Sequence, residues 1–331
     1  TGFSLGLLRA GWLGAIAAFI AFTLPSALLL FGFAAVLPLL SSNAGVGAIH
    51  GLKLVALVFV AQAVVGMGRQ LCPDPARQTV AVLAATAILL TGHAEVQFLA
   101  IAVGAFAGLR LQLPATATDG AVLPLRYGIK TGAVFLFIFL ALLINTFIMA
   151  TGGNQLVSVW NAFFRAGALV FGGGHVVLPL LEETVVATGW IGSETFLAGY
   201  GAAQAIPGPL FSIAGYLGAQ LPDGNGGVTG SAIALLAIFL PGFLLVAGAL
   251  PFWHSISARP AATRAIAGAN AAVVGLLAAA LYDPVFTSAV TRGTDLAIGL
   301  FGFLLLAAWR RSALTVVLWC VLASAMAAMM G

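Results

Sequence analysis

Two short stretches interrupt the apolar sequence and decide the fold: Phe171-Gly172-Gly173-Gly174-His175 and, further along, Gln204-Ala205-Ile206-Pro207-Gly208-Pro209. Glycine has no Cβ and proline removes a backbone donor, so neither stretch easily continues a helix. In lipid, non-helical backbone survives only where protein or a water-filled cavity covers it. Discontinuous helices also direct backbone N–H groups inward, where they attract anions. The two stretches therefore predict an internal site for a small anion in a membrane protein.

The composition is that of a membrane protein. Of the 331 residues, 62% are hydrophobic and 7% are charged, whereas soluble domains carry about a quarter charged residues. The apolar runs predict an all-α, polytopic membrane helical bundle with about eleven spans. The net charge of +4 comes without a basic run, so nucleic acid is not expected as a partner. Cys72 and Cys320 stand alone, which predicts no metal site and no cofactor.

Glycine and proline positions recur along the chain at one constant spacing, which indicates an internal duplication. The paired positions are Gly14 and Gly230, Pro25 and Pro241, and Gly32 and Gly248. Lys53 falls opposite Asn270 in the same comparison, one residue out of step. Because an odd number of spans separates the two copies, we expect inverted repeats with discontinuous helices, as in many secondary transporters.

The duplication predicts three parts in the chain. Residues 1–112 form the remainder of a first transmembrane repeat, residues 113–150 a linker and a linking span, and residues 151–331 a second transmembrane repeat. The second copy has two interrupted segments before its Gly230 helix, and the first copy has none. We therefore expect this sequence to be a shortened version of a longer protein, with two further spans ahead of Thr1.

Basic residues favour one side of the predicted bundle. Alternating crossings leave only Lys53, Arg165 and Arg292 on the opposite side. The positive-inside rule then predicts a multi-pass protein of the bacterial cell inner membrane with both chain ends in the cytoplasm. The rule accepts both interrupted segments as crossings or both as re-entrant hairpins, and this alternative stays open.

Several motifs together resemble the second-half signature of the chromate ion transporter family. They are Phe171–His175, Val176–Glu183, Gly189-Trp190 and Gln204–Pro209. The opening Leu8–Gly14 and the Pro25-Ser26 kink are similar to the part of that family's first half that follows its own Pro-Gly-Pro motif. The resemblance implies a two-half carrier that exports chromate from the cytoplasm. Two departures from the family pattern are the absent first-half motifs and Ala198, where the family often has an acidic residue.

The residues at and near the two breaks are the expected substrate ligands. Backbone amides and the Gln204 and Ser212 side chains would donate hydrogen bonds, and His175 could also carry a proton. A charge inside a span, such as Arg165, usually marks function, and the alternative is an arginine whose head snorkels to the interface. The predicted substrate-binding set is Arg165, Gly172, Gly173, Gly174, His175, Gln204, Pro207, Gly208, Pro209 and Ser212. Close helix packing and a simple kink are the structural alternatives for the two breaks.

Three further residues form a secondary or coupling set: Lys53, Asn270 and Glu183. Lys53 lies near the start of its span, where snorkelling of the ammonium to the interface is the expected behaviour. Glu183 is expected at the cytoplasmic end of its span, as a solvated cap or a proton-coupling acid, because a carboxylate repels an anion.

The function predicted from these features is export of the oxyanion chromate by alternating access, with the two halves rocking around the anion. The first alternative is uptake or exchange of sulfate or another tetrahedral oxyanion. Alternatives of another class are a membrane redox enzyme and a structural membrane component. No catalytic motif is recognisable, so an enzyme is not expected. The expected partners are chromate or sulfate and membrane lipid, and both a monomer and a homodimer stay open.

Overall fold

A computed structural model of the chain describes residues 2–40, 42–91, 94–111, 127–148, 155–170, 177–222, 224–253 and 259–330. The described residues form helices and their connections, with no strand among them. The helices are α1 (Gly2–Val36), α2 (Asn43–Leu71), α3 (Pro75–Thr91), α4 (Ala94–Arg110), α5 (Ile129–Ile148), α6 (Gln155–Ala168), α7 (Val177–Val185), α8 (Ser193–Ala205), α9 (Ile213–Ala219), α10 (Gly227–Ala249), α11 (Pro260–Ala280), α12 (Gly293–Phe303) and α13 (Ala313–Met330). Short helical turns extend or join several of them, including Leu210–Ser212 directly before α9.

Six stretches in the described part of the chain are long and apolar enough to cross a membrane. They are Gly2–Leu39, Asn43–Leu71, Ile129–Ile148, Gly227–Phe252, Pro260–Ala289 and Ala313–Met330. Large apolar side chains are exposed on the outside of the bundle, for example Leu13 at 83% and Leu90 at 81%. Such a surface suits lipid rather than water. The predicted all-α polytopic membrane bundle is confirmed.

Helix α1 consists of two arms that meet at Gly11. The backbone there has φ 67° and ψ −154°, a conformation that favours glycine because other residues clash. The short arm folds back along the long one. The two backbones are so close that a Cβ added to Gly6 would clash with Gly14, at a distance under 3.0 Å. The arm that begins at Gly2 is therefore half of a helical hairpin.

The second repeat makes the corresponding turn before α10. Gly227 has φ 65°, and a Cβ on Gly218 would lie under 3.0 Å from the backbone of Gly230. Both long helices that follow these turns contain an internal proline, Pro25 in α1 and Pro241 in α10. The paired glycines and prolines of the sequence thus occupy equivalent places in the fold.

The equivalent helices α1 and α10 run in opposite directions. Trp12, at the start of the long arm of α1, packs on Tyr127, whose hydroxyl donates to the carbonyl oxygen of Ala247 in the last turn of α10 at 2.8 Å. Further along α1, Phe19 contacts Phe239, which comes earlier in α10. This antiparallel arrangement is the one that an inverted repeat requires, and the division into two repeats stays a prediction.

The two repeats are interlocked rather than set side by side. Helix α2 of the first repeat packs on α12 and α13 of the second, and α11 of the second packs on α3 and α4 of the first. Glycines bring these backbones together, since a Cβ on Gly51 would lie under 3.0 Å from Val321 and one on Gly268 under 3.0 Å from Gly104. Small residues allow this close approach between helices in lipid.

The bundle has two ends, which we name after Arg9 and Lys53. Nine described basic residues lie at the helix termini of the Arg9 end: Arg9, Arg69, Arg77, Arg110, Lys130, Arg259, Arg264, Arg310 and Arg311. The Lys53 end contains the start of α2 and, next to it, Ala328 near the end of α13. Ala328 and Arg9 therefore lie at opposite ends of the bundle, and the prediction that both chain ends share the cytoplasm is wrong for these described residues. An odd number of crossings separates them.

Candidate functional site

Helices α8 and α9 form a hairpin around the Pro207-Gly208-Pro209 stretch. The Tyr216 hydroxyl of α9 donates to the carbonyl oxygen of Thr195, in the first turn of α8, at 2.8 Å. The two helices have 13 and 7 residues, about 20 and 10 Å at 1.5 Å per residue, against a hydrocarbon core of about 30 Å. The segment therefore enters and leaves at one end as a re-entrant hairpin, one of the two alternatives that the basic residues left open, and it is not one of the about eleven spans.

Helices α6 and α7 follow the same course. Gln155, at the start of α6, is hydrogen-bonded to Asn225 at the Lys53 end. A Cβ on Gly167, near the end of α6, would lie under 3.0 Å from Ile238, halfway along α10. Helix α7 ends at Val185, whose carbonyl accepts from Ile191 just before α8. Both interrupted segments thus begin and end at the Lys53 end, which resolves the alternative left open by the basic residues.

The tip of the α8–α9 hairpin touches α1 in the middle of the bundle. A Cβ built on Gly208 would lie 2.4 Å from both the Cβ and the Oγ of Ser26. The Ser26 hydroxyl donates to the carbonyl oxygen of Thr23 at 2.9 Å and lies 2.7 Å from the Ser212 Oγ. Because a hydroxyl has one proton, Ser212 is the donor to Ser26. Both serines are buried, at 1% and 0% exposed.

Gln204 places an unused donor beside this tip. It lies in the last turn of α8, which ends where Ile206 becomes extended. The Tyr200 hydroxyl, one turn earlier, interacts with the Gln204 side chain. Among the described residues, the buried Nε2 atom of Gln204 has no hydrogen-bond partner. An unpaired buried amide costs free energy, so its presence indicates a place where a ligand or water completes the bonding.

The helix that leaves the tip offers further donors. Residues 210–219 form a short helical stretch whose N-cap, Pro209, provides no side-chain hydrogen bond. The first N–H groups of a helix have no partner inside it, and Ser212 is the first of this stretch to donate to a backbone oxygen, that of Pro209 at 2.9 Å. The N–H groups of Leu210 and Phe211 precede it, on the side of the tip.

A cavity of about 250 Å³ lies against the tip. Its walls include Gly2, from the short arm of α1, and Pro209, from the hairpin. The short arm of α1 comes from the Arg9 end and the hairpin from the Lys53 end, so the two meet at one cavity. The polar side chains of the cavity lining are Ser4 and Thr23. Its aromatic side chains are all phenylalanines: Phe3, Phe19, Phe22, Phe211, Phe239 and Phe243.

Some residues of the predicted substrate set are not part of this tip. Gly172, Gly173, Gly174 and His175 lie outside the described residues. The guanidinium of Arg165 lies over the ring of Phe147, in the last turn of α5, with 5.6 Å between Cζ and the ring centroid. Asn270 lies in α11, two residues after the glycine that packs on α4. The structure thus brings together Gln204, Pro207, Gly208, Pro209 and Ser212.

Glu183 lies in a different environment from the one predicted. It lines a cavity of about 230 Å³ with Glu182, Gln97 and Asp283. This cavity belongs to the Lys53 end, because α7 continues directly into α8 there. Glu183 was expected at the cytoplasmic end of its span, which is the end with more basic residues, and this prediction is therefore wrong. Three carboxylates in one cavity repel an anion, which agrees with the expectation that Glu183 is not a ligand.

Lys53 does not snorkel. The residue is only 5% exposed, and its Nζ forms an ion pair with the Oε1 of Glu194, at the start of α8, at 3.0 Å. The prediction of an ammonium that reaches the interface along its own helix is therefore wrong. The buried charge is stabilised by a carboxylate from the hairpin instead.

Sequence reasoning missed the role of Ser26 and Thr23. The Pro25-Ser26 pair stood out as a kink, and the match of Pro25 with Pro241 marked its place in the repeat. No local pattern relates Ser26 to Ser212, because the contact depends on how the hairpin of one repeat packs on the long helix of the other.

Comparisons with known proteins give a consistent result. A family described as Chromate transporter matches residues 1–109 and 157–329. A probable chromate transport protein of Synechococcus elongatus is 30% identical over 160 residues, 48% of this chain and 40% of that protein. A chromate transport protein of Cupriavidus metallidurans is 30% identical over 135 residues, 40% of this chain and 33% of that protein. An uncharacterized transporter of Bacillus subtilis, YwrB, is 39% identical over 89 residues, 26% of this chain and 43% of that protein.

The matched part of this chain spans less than half the length of each of these relatives. No solved structure matches the chain.

Proposed function

This chain belongs to the chromate transporter family, and on that premise we propose that it is a secondary carrier that exports chromate from the cytoplasm. The relatives that carry the name are a chromate transport protein and a probable one. A carrier needs a site near the middle of the bilayer that two sides can reach in turn. The hairpin tip has the position and the donors for that role.

The observations that carry the proposal are the buried Nε2 of Gln204, unpaired among the described residues, and the uncapped helix start at Leu210. They lie before and after the Pro207-Gly208-Pro209 connection in the chain. Chromate is a tetrahedral dianion and needs several hydrogen-bond donors at once. Amide donors carry no fixed charge, so a dianion can bind to them and still leave. The Ser212 hydroxyl donates its one proton to Ser26, so Ser212 joins the tip to α1 and the amides are left as the donors to the anion. Arg165 and His175 remain predictions as ligands.

The packing supports a movement that differs from rocking of the two sequence halves. Interlocked repeats cannot separate as rigid halves, because α2 and α11 are each held by helices of the other repeat. The hairpin instead joins two groups of helices. A Cβ on Gly201 of α8 would lie under 3.0 Å from Leu52 of α2, and one on Gly218 of α9 under 3.0 Å from Gly230 of α10.

The first group, α2, α3, α4, α11, α12 and α13, holds α8. The second group, α1, α5, α6 and α10, holds α9. A shift between the groups would act directly on the Pro207-Gly208-Pro209 connection. We assign alternating access to this shift, which opens the tip cavity towards one end of the bundle or the other.

The charges at the two ends of the bundle support the proposed direction of transport. Nine described basic residues at the Arg9 end make it cytoplasmic by the positive-inside rule, in a bacterial inner membrane. Moving two negative charges outward across ~100 mV, inside negative, releases about 4–5 kcal/mol. This energy sustains a concentration ratio of roughly a thousandfold, so export needs no second ion.

Transport into vesicles of known orientation tests the proposal. Everted vesicles that contain the chain should accumulate chromate when an inside-positive potential is imposed, and right-side-out vesicles with an inside-negative potential should not. Sulfate in excess should compete if both tetrahedral dianions use the tip. Uptake of sulfate without chromate would favour the sulfate alternative, and no potential-driven uptake of either anion would exclude the carrier.

A further inference from the structure

A second polar cavity, of about 350 Å³, lies at the Lys53 end. It is enclosed by the first turns of α2, α8 and α12 and by the last turns of α13. We call it the vestibule. Its polar lining consists of His50, Lys53, Glu194, Thr291, Arg292, Thr294, Asp295 and Ser324. Three of these side chains are cationic or become so on protonation, and the hairpin tip described above offers no such charge.

The two carboxylates of the vestibule differ in how firmly they are held. Asp295 is 6% exposed, and its Oδ2 accepts from the backbone N–H groups of Thr291 and Arg292 at 3.0 and 2.9 Å and from the Thr291 hydroxyl at 2.9 Å. Its Oδ1 lies 3.1 Å from the Nε2 of His50. This carboxylate fixes the start of α12 and orients His50, so it cannot leave.

Glu194 is held by one contact only in the described structure, its ion pair with Lys53. Its side chain is 80% exposed, whereas that of Lys53 is 6% exposed. A solvated carboxylate loses little when such a pair opens, but a buried ammonium left without a counter-charge is costly. Lys53 therefore requires an anion, and Glu194 is an anion that can be exchanged for another.

The charge of the vestibule suits a dianion once Glu194 has moved away. Lys53 and Arg292 then face Asp295 alone, and the guanidinium of Arg292 has no ion pair among the described residues. The excess is one positive charge, and the imidazole of His50 lines the same cavity. A volume of about 350 Å³ holds a tetrahedral oxyanion together with several waters.

We propose that the vestibule is a second oxyanion site, in which a tetrahedral dianion such as chromate or sulfate displaces Glu194 from Lys53. The choice of anion rests on the proposed function. Glu194 and Gln204 belong to the same helix, α8, and are separated by ten residues, about 15 Å. The vestibule therefore receives the anion at the outer end after it leaves the tip, and its fixed charges hold the anion there until Glu194 returns.

Equilibrium binding tests the vestibule without transport. The probe is radiolabelled sulfate, bound to the purified full chain in lipid nanodiscs, with unlabelled chromate as competitor. Glu194→Gln removes the competing carboxylate and leaves every donor in place. It should therefore raise the sulfate affinity of one class of sites, the vestibule, about tenfold. Lys53→Met should abolish that class. Lys130→Met, which removes an exposed lysine at the opposite end, should change nothing.

The two vestibule variants must shift affinity in opposite directions. An ion pair with a purely structural role predicts no gain for Glu194→Gln, and unchanged or weaker binding in that variant overturns the proposal even if Lys53→Met fails to fold. Gly208→Ala, which disturbs the tip alone, should leave the vestibule class of sites intact. Sulfate binding at the vestibule without any potential-driven transport would exclude the carrier function but would still support the vestibule as an oxyanion site.

Discussion

Gly208→Ala tests whether the hairpin tip must lie against α1 for transport. The added Cβ would lie 2.4 Å from the Cβ and the Oγ of Ser26, whereas carbon atoms in contact prefer about 3.5–4.0 Å. The tip or α1 must therefore move by roughly 1 Å. Overpacking of this kind costs about 1–3 kcal/mol, a factor of roughly 5 to 150 in the equilibrium between tip positions.

The assay is the initial rate of chromate uptake into everted vesicles, normalised to the amount of folded protein from gel filtration. We expect Gly208→Ala to lower the rate by roughly 5- to 150-fold, the factor that about 1–3 kcal/mol gives. Gly32→Ala is the matched control, because it adds the same methyl group to α1 at a position with nothing within 4 Å. Its rate should equal that of the unchanged chain.

A second substitution makes the test specific to the contact. Ser26→Gly removes both atoms that the new Cβ would meet, and the next atom, the carbonyl oxygen of Phe22, is 3.5 Å away. The double variant Gly208→Ala with Ser26→Gly should therefore be faster than Gly208→Ala alone. Ser26→Gly alone sets the upper limit of that recovery, because it removes the hydrogen bond to Ser212 and a glycine inside a helix costs about 1 kcal/mol. A single variant with undiminished transport, or a double variant as slow as Gly208→Ala, would refute this account of the tip.

Three further substitutions separate binding from packing. Gln204→Leu should raise the unfolding temperature, because a buried unpaired amide disappears, and should lower chromate uptake at least about tenfold; undiminished uptake would remove Gln204 from the site. Gly268→Ala should lower the unfolding temperature through overpacking of about 1–3 kcal/mol or more against α4, whereas Gly66→Ala, with nothing within 4 Å, should not. Phe147→Leu should cost about 0.5–1 kcal/mol of stability by removing the ring under Arg165. The rate of chromate uptake should stay unchanged if Arg165 binds the anion through its charge. Equal loss of uptake in Phe147→Leu and Arg165→Met would make the role of Arg165 one of packing.

Local chemistry made the breaks of the helices predictable. Pro207 and Gly208 end α8 because of their own backbone properties, and the glycine and proline spacing that matched α1 with α10 reflects turns such as the one at Gly11. The course of the interrupted segments was not predictable in the same way. A run of apolar residues of crossing length has the same composition whether it passes through the bilayer or doubles back at its middle. Contacts between distant residues, such as that of Tyr216 with the start of α8, distinguish the two.

Contacts between distant segments account for the other differences. Lys53 was expected to reach the interface because it lies near the start of its span, and its partner Glu194 comes from another repeat. A glycine allows close packing of two helices but does not identify the helix that will approach it. Ser26 became part of the site for the same reason, through a hydroxyl of the hairpin.

The interlocked repeats have a consequence for a gene that is split in two. If the chain were divided between α4 and α5, the first piece would contain α2, which docks on α12 and α13 of the second piece. The second piece would contain α11, which docks on α3 and α4 of the first piece. Neither piece could cover its glycine-lined grooves alone. Co-expression should therefore restore transport by complementation in trans, and the two polypeptides should purify as one particle without any covalent link.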